Sequence, residues 1–255
     1  MGNRSTNRST IRKYFCWPDT HAPYHDETAV NVALAAVHAF EPDELIVLGD
    51  LWDFYACSFY TKDPRRKHLV ADELEDSDPV VDAIKRLGCY TVFLKGNHEQ
   101  RLERSVRERA PELHGLVKTV KQLIPDTWKY VPYGTSYEAG RVLYSHDFGR
   151  SGDLAPRQGL VDVGANIVFG HTHQLSFTTL GQQRGKAHAG MSCGWLGGLK
   201  HIDYRHAAVA KRKYQHGFGI VHECTETRNV WMTPVPIIIT GRHGECVIEG
   251  KRVRV

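Results

Sequence analysis

Five short segments recur in order along the chain, and each follows an apolar, β-prone run. Ile11 to Trp17 precedes Asp19-Thr20-His21, and Leu45 to Leu48 leads into Gly49-Asp50-Leu51-Trp52-Asp53. Thr91 to Leu94 precedes Gly96-Asn97-His98-Glu99, the shorter Val142-Leu143-Tyr144 precedes Ser145-His146-Asp147, and Ile167 to Phe169 precedes Gly170-His171-Thr172-His173. Each run has the length of a strand buried on both faces, and helical stretches such as Glu27 to Phe40 lie between several of them. That alternation predicts an α/β fold with a largely parallel core sheet. In open α/β sheets, ligand-binding residues gather at the carboxyl ends of strands. Residues far apart in sequence are therefore expected to converge on one site.

The convergent set mixes carboxylate, imidazole and amide oxygen and contains no thiolate. This suits divalent ions such as Mn, Fe, Ni or Zn rather than a structural zinc site built on cysteine. Two dications about 3.5–4 Å apart repel strongly, so a two-metal site needs a bridging anion from the protein. Asp50, flanked by Gly49 directly after an apolar strand, is the candidate bridge, with Gly49 giving it clearance. Thr172 separates His171 from His173, and alternate residues of an extended segment point the same way, so both imidazoles are expected to face one cleft. His98 sits beside Asn97 and is not needed to fill a coordination shell. Asp53, three residues after Asp50, is the expected carboxylate partner that fixes the tautomer of His98 and raises its pKa, leaving His98 as a general acid.

These blocks resemble the signature of the calcineurin-like metallophosphoesterase superfamily: D-x-H, G-D-x-x-D, G-N-H-(D/E), a lone His, then G-H-x-H. The resemblance covers roughly residues 11 to 180, with one departure: Ser145 stands where the family commonly has Gly before the lone His. It implies a four-layer α/β fold in which two mixed sheets form a β-sandwich flanked by helices. It also implies that Asp19, His21 and His173 hold one metal, that Asn97, His146 and His171 hold a second, and that Asp50 bridges them. Attack on phosphorus is then expected from a metal-bridging hydroxide, with His98 handling the substrate. A non-catalytic scaffold of the same fold would have no need of His98.

At 255 residues and 41% hydrophobic content, the chain is long enough to bury one good core. The expected organisation is a disordered tail over residues 1–10, which repeats Asn-Arg-Ser-Thr, and a single domain over 11–255. No apolar run approaches the ~20 residues of a membrane span and no signal-like core opens the chain, so a cytoplasmic protein is expected. The six cysteines form no C-x-x-C pair, and no disulfide is expected. After Gln174, runs at Leu175 to Leu180, Phe218 to His222, Val230 to Ile239 and Cys246 to Val255 are expected to supply the second sheet of the sandwich. The charged stretch Asp63 to Asp78 is expected to form a loop and helix at the rim of the cleft.

Substrate class turns on the two residues directly after the second block. Protein phosphatases of the superfamily typically carry Arg-Gly after G-D-x-x-D, whereas this chain has Phe54-Tyr55. Loss of that bidentate clamp argues for diesters over monoesters, with an aromatic wall against which a base can stack. Arg101, Arg104 and Arg107 recur every third residue and fit either a solvated helix face or a phosphate contact. Two basic stretches, Arg65-Arg66-Lys67 and Lys200 to Lys213, the second with Arg205, Lys211, Arg212, Tyr204 and Tyr214, fit a nucleic-acid backbone with stacked bases. The expected activity is a manganese-type dinuclear phosphodiesterase acting on nucleic acid (DNA or RNA). A cyclic- or dinucleotide phosphodiesterase and a phosphoprotein phosphatase are the alternatives.

Overall fold

The computed structural model describes residues 10–255 apart from 61, 64–65, 67–68, 182–186 and 203–206. The expected tail over 1–10 therefore lies almost wholly outside the described residues, as do Arg65, Lys67, Tyr204 and Arg205 of the basic stretches. The first part of the chain runs β1 (Ile11–Trp17), α1 (Glu27–Phe40), β2 (Glu44–Val47), α2 (Val70–Arg86), β3 (Tyr90–Leu94), α3 (Asn97–Arg109), α4 (Val120–Leu123) and β4 (Lys129–Val131). There follow β5 (Tyr137–Ala139), β6 (Val142–Ser145), α5 (Ala155–Val163), β7 (Asn166–Phe169), β8 (Leu175–Leu180), β9 (His188–Cys193) and α6 (Ala207–Lys213). The chain closes with β10 (Gly217–Cys224), β11 (Val230–Pro236), β12 (Ile238–Thr240), β13 (His243–Ile248) and β14 (Lys251–Arg254).

Among the described residues the strands form three sheets. One has the order β11-β10-β1-β2-β3-β4, another β5-β6-β7-β9-β8, and a small one β12-β13-β14. Strands β1 to β4 are parallel, as are β6, β7 and β9, while antiparallel strands finish both large sheets. The period-2 alternation of β1 sets the layers. Phe15 and Trp17 pack with Ala33, Val37 and Phe40 of α1 and with Ile84 of α2. Tyr14 and Cys16 point the other way, onto Tyr144, Val168, Met191 and Cys193 of the second sheet. Behind that sheet, Ile167 and Phe169 meet Ala155 and Leu160 of α5. The result is a mixed α/β, four-layer architecture: helices, sheet, sheet, helix.

The C-terminal runs go elsewhere than expected. Only β8 joins the second sheet; β10 and β11 extend the first, and the last run folds into the small sheet that covers α1 through Cys246 and Ile248. The edge of β1 needs a hydrogen-bonding partner, and β10 meets it while stacking Phe218 on Phe15 with ring centroids 4.5 Å apart. The run Val230 to Ile239 is split after Pro236, and β11, which contains Pro234 and Pro236, lies at the sheet edge where missing N–H groups are tolerated. All six cysteines are free. No described helix is long and apolar enough to cross a membrane.

Candidate metal centre

Because β1, β2 and β3 are parallel, as are β6 and β7, the five segments emerge at carboxyl ends of strands and meet between the two sheets. Two buried glycines let them close up. A Cβ on Gly49, whose φ is +95°, would lie 2.7 Å from the Gly96 amide nitrogen, and one on Gly96 would strike the Asp50 carboxylate. Gly49 thus serves the contact between the second and third segments, in addition to any room it gives Asp50. The Glu99 carboxylate then joins those segments by accepting from the backbone N–H groups of Gly96 at 2.8 Å, Asp50 at 2.9 Å and Trp52 at 3.1 Å.

The side chains form two adjoining groups. In the first, His173 Nε2 lies 3.1 Å from Asp19 Oδ2 and 3.0 Å from His21 Nε2. In the second, Asn97 Oδ1 lies 2.8 Å from His146 Nε2 and 2.9 Å from His171 Nδ1. Asp50, 1% exposed, stands between them: its Oδ2 is 3.4 Å from His146 Nε2, and its Oδ1 accepts the His98 backbone N–H at 2.8 Å. Asp19, His21 and His173 place their ligand atoms within 4.8 Å of one another, as do Asp19, Asp50 and His146.

The convergence of His171 and His173 has a different cause from the expected extended segment. Both residues adopt left-handed φ, 62° and 58°, as do His21 at 53° and Asp50 at 48°. An L residue there costs energy unless its surroundings hold it. The Asp50 carbonyl accepts the Thr20 and His21 N–H groups at 2.9 Å, and the Asp19 carboxylate accepts the His171 N–H. Tertiary hydrogen bonds therefore hold the turns that aim the imidazoles.

The donor set fits a cation. The Leu48 carbonyl accepts His146 Nδ1–H at 2.9 Å, leaving a lone pair on Nε2 that faces the carbonyl oxygen of Asn97. Two acceptors facing each other satisfy neither, whereas a positive ion between them satisfies both. The Nε2 atoms of His21 and His173 also face each other, at 3.0 Å, and His173 Nδ1 is buried with no hydrogen-bond partner. Electrostatics agree. Burial, with Glu99 and Asp19 nearby, pushes the Asp50 carboxyl well above the usual carboxylate range. Burial acts the same way on Asp19, but there the hydrogen bond from His173 and the neighbouring imidazoles outweigh it and hold the group below its ordinary value. Burial lowers His173 to about 4 and also lowers His171, so both rings are lone-pair donors at neutral pH.

Asp53 and His98 meet, but chiefly through the Asp53 backbone and without the expected rise in the His98 pKa. The Asp53 carboxylate lies 3.2 Å from His21 Nδ1 and 3.6 Å from His98 Nδ1, and it is the Asp53 carbonyl that accepts from His98, at 2.9 Å. Asp53 is held well below the usual range: burial opposes this, and the neighbouring imidazoles of His98 and His21 outweigh it. His98 shifts down, not up: burial, then His21 and Arg101, outweigh Asp53. Arg101 Nη2 donates to His98 Nε2 at 2.7 Å, so the ring is neutral with its proton on Nδ1.

Arg101 answers the question left by its triplet: it lies at the centre, while Arg104 is exposed and pairs with Glu108 at 2.8 Å. A cavity of about 390 Å³ opens beside the first group, lined by His21, His98, His173, Arg101, Tyr55 and Trp195 among others. Tyr55 belongs to that wall, but Phe54 is fully buried in the core. Sequence reasoning passed over Trp195, stacked on His173 at 5.0 Å, and over Glu73 of α2, whose carboxylate accepts the Tyr55 and Ala56 N–H groups at 2.9 and 2.7 Å. A Gly-rich loop around Trp195 and a lone Glu in a charged run carry no local signature. Of the basic stretch, His201, Ile202 and Tyr214 line the cavity, Lys211 and Arg212 are exposed on α6, and Lys213 Nζ bonds the Asp153 carboxylate at 2.9 Å.

No family model matches the chain. It is similar to the Gene 54 protein of Mycobacterium phage L5, with 23% identity over 241 residues, covering 86% of this chain and 91% of that protein. Among solved structures it is similar to Vacuolar Protein Sorting 29 from Cryptosporidium parvum, with a TM-score of 0.43, 12% identity and 96% of each chain covered. It is also similar to TT1561 of Thermus thermophilus, with a TM-score of 0.34, 12% identity, and coverage of 88% of this chain and 99% of that one. At such values the functional reading rests on the residues themselves.

Proposed function

We propose that this protein is a dinuclear, divalent-metal-dependent phosphodiesterase of the calcineurin-like metallophosphoesterase type, acting on nucleic-acid phosphodiester bonds. The observation that carries this reading is the meeting of seven candidate ligands from five strand ends in two groups, with the Asp50 carboxylate between them. Asp19, His21 and His173 would hold one ion, Asn97, His146 and His171 the other, with manganese the first candidate and iron, nickel or zinc the alternatives. Bound ions would supply Lewis-acid charge at a phosphoryl oxygen and lower the pKa of water. Asp53 orients His21, while His98 and Arg101 face the reacting phosphoryl group from the cavity side. Arg101 restores the guanidinium that the second motif lacks, but His98 and Asp53 already engage it. A dianionic monoester therefore gains less from it than from a free clamp, which keeps the preference for diesters.

The test is elemental analysis of protein loaded with manganese, followed by a panel of single strand, duplex, cyclic nucleotide, aryl diester and aryl monoester. Two ions per chain and diester turnover are expected; a strong monoester preference would instead make the protein a phosphatase. The exposed Lys211 and Arg212 support the polymer as substrate. Replacing Lys211, Arg212 and Lys213 by Ala should flatten the log–log salt dependence of polymer binding by about 1.5 units, since Lys213 is already engaged by Asp153. The limited volume of the cavity favours a second reading, a small nucleotide diester, for which the triple variant would change nothing.

A further inference from the structure

The cavity beside the metal centre has a wall chemistry of its own. Tyr24 follows the first ligand segment, Tyr55 the second, Trp195 follows β9, and Tyr214 follows α6, and all four rings line the same space. Tyr24 and Tyr55 meet edge to face at 6.0 Å, and Trp195 and Tyr214 do so at 5.0 Å. The Arg66 guanidinium lies 4.9 Å from the Tyr24 ring and 4.7 Å from the Tyr55 ring, and is fixed by a hydrogen bond to the His201 carbonyl. At the inner end stand Arg101 and the imidazoles of His21, His98 and His173, which belong to the centre as well.

Trp195 is itself stacked between His173 and His216, so the tyrosine rings and the guanidinium are the part of the wall that can bind a flat π-face, and an aliphatic alcohol or a phosphoserine offers none. A metal centre at the inner end calls for a phosphate. The occupant therefore joins a planar ring to a phosphate over a short distance, as a nucleotide does. A base inside a duplex is already stacked on both faces and cannot enter unless it leaves the helix. The exposed Lys211 and Arg212 lie on the short helix that leads into Tyr214, one of the residues lining the cavity.

We propose that this cavity is a nucleobase pocket: it receives one unpaired base of a nucleotide whose phosphate lies at the metal centre, so that the substrate is a single strand, a frayed end or a short free nucleotide. The position of the phosphate rests on the phosphoesterase reading above, but base binding does not require turnover.

Binding is therefore measured first, by calorimetry on the full chain with deoxyadenosine 5′-monophosphate and with ribose 5-phosphate, which lacks the base. The base should tighten binding by at least about tenfold. Tyr55→Ala should remove about that factor for the nucleotide and leave ribose 5-phosphate unchanged, while Tyr55→Phe, which keeps the ring, should bind as the parent does. Tyr214→Ala and Tyr214→Phe repeat the comparison on a different loop. Equal affinities for the two probes, or equal losses on both in the Ala variants, overturn the proposal. Cleavage by the manganese-loaded protein then separates the sources of the base. Faster turnover of an unpaired strand or of a dinucleotide than of the same sequence in blunt duplex supports the pocket, with the faster of the two naming the source, and a duplex preference overturns it. Base-selective binding without hydrolysis of any ester would keep the pocket and sink the catalytic reading. Diester hydrolysis without base selectivity would do the reverse.

Discussion

At the carboxyl ends of β1, β2 and β7 the chain places His21, Asp50, His171 and His173 at positive φ, whereas the C-terminal sheet β12–β14 reserves that conformation for its hairpin turns, at Gly241, Glu249 and Gly250. The turn between β13 and β14 matches its local chemistry: two left-handed residues, the second a glycine, fit the twist of the flanking strands. At the candidate ligand loops Asp and His tolerate that backbone better than most residues but without the freedom of glycine. Each such residue costs of order 1–3 kcal/mol, and contacts from distant segments hold it in place. Charge follows the same division. The small sheet keeps its pairs at the surface, such as Arg252 with Glu245, while Asp19, Asp50 and Glu99 are buried around the centre. Strain and buried acidic groups thus concentrate where a cation would relieve them.

If that contrast is right, the largest effect belongs to Asp50→Asn. The loaded protein should lose metal stoichiometry and at least about a thousandfold in turnover, because a neutral side chain cannot offset the repulsion between two dications. The metal-free variant should melt no lower than the metal-free parent, since Asp50 is a carboxyl that burial and Glu99 already hold from ionising. Full metal content in the variant would remove Asp50 from its position between the ions.

His98→Ala tests the cavity side of the site. Both ions should stay, and turnover should fall roughly a hundredfold or more. If His98 delivers a proton, the loss shrinks for a phenolate leaving group relative to an alkoxide. If the neutral ring acts by positioning Arg101, the loss is the same for both, and Arg101→Ala reproduces it.

A third measurement concerns Glu73, which anchors the Tyr55 loop well away from the small sheet. Burial raises its pKa from 4.5 to about 7, with Asp53 adding to the shift and the Ala56 and Tyr55 N–H groups and Arg101 opposing it. Between those two values the folded chain holds a proton that the unfolded chain has released. The contribution of Glu73, read as the parent minus Glu73→Gln, should therefore fall by about 3 kcal/mol as pH rises across that window, then stay level above it. Denaturant titrations of both proteins from pH 4 to 8 read the fall. A parent protein that loses nothing relative to Glu73→Gln over the same range would overturn the assignment.

The smallest expected effect lies in the C-terminal sheet. Val247 on β13 is 61% exposed, and Val247→Lys should leave metal content and turnover unchanged and alter stability by no more than ~0.5 kcal/mol. A loss of metal in this variant would show that the small sheet is coupled to the centre through α1.

Much of this molecule is legible in the residues taken one segment at a time. The run Ile11 to Trp17 is a strand over those residues, and Glu27 to Phe40 is a helix over those bounds, because an apolar, β-branched and aromatic run or an amphipathic stretch capped by Asp26 carries its own period. The five segments announce themselves because few structural loops gather Asp, Asn and His beside Gly. What lay outside that reach is of one kind. No local pattern tells which free edge β10 will pair with, that the Asp53 carboxylate comes nearer to His21 than to His98 while its carbonyl accepts from His98, that Arg101 and not Arg104 points inward, or that Trp195 and Tyr214 finish the cavity wall. The elements and the set of candidate ligands could be read from the residues alone, since both depend on neighbours within a few positions. Pairing edges, tautomers, pKa directions and the cavity depend on groups from distant parts of the chain, and which of those groups meet is settled only when the sheets pack.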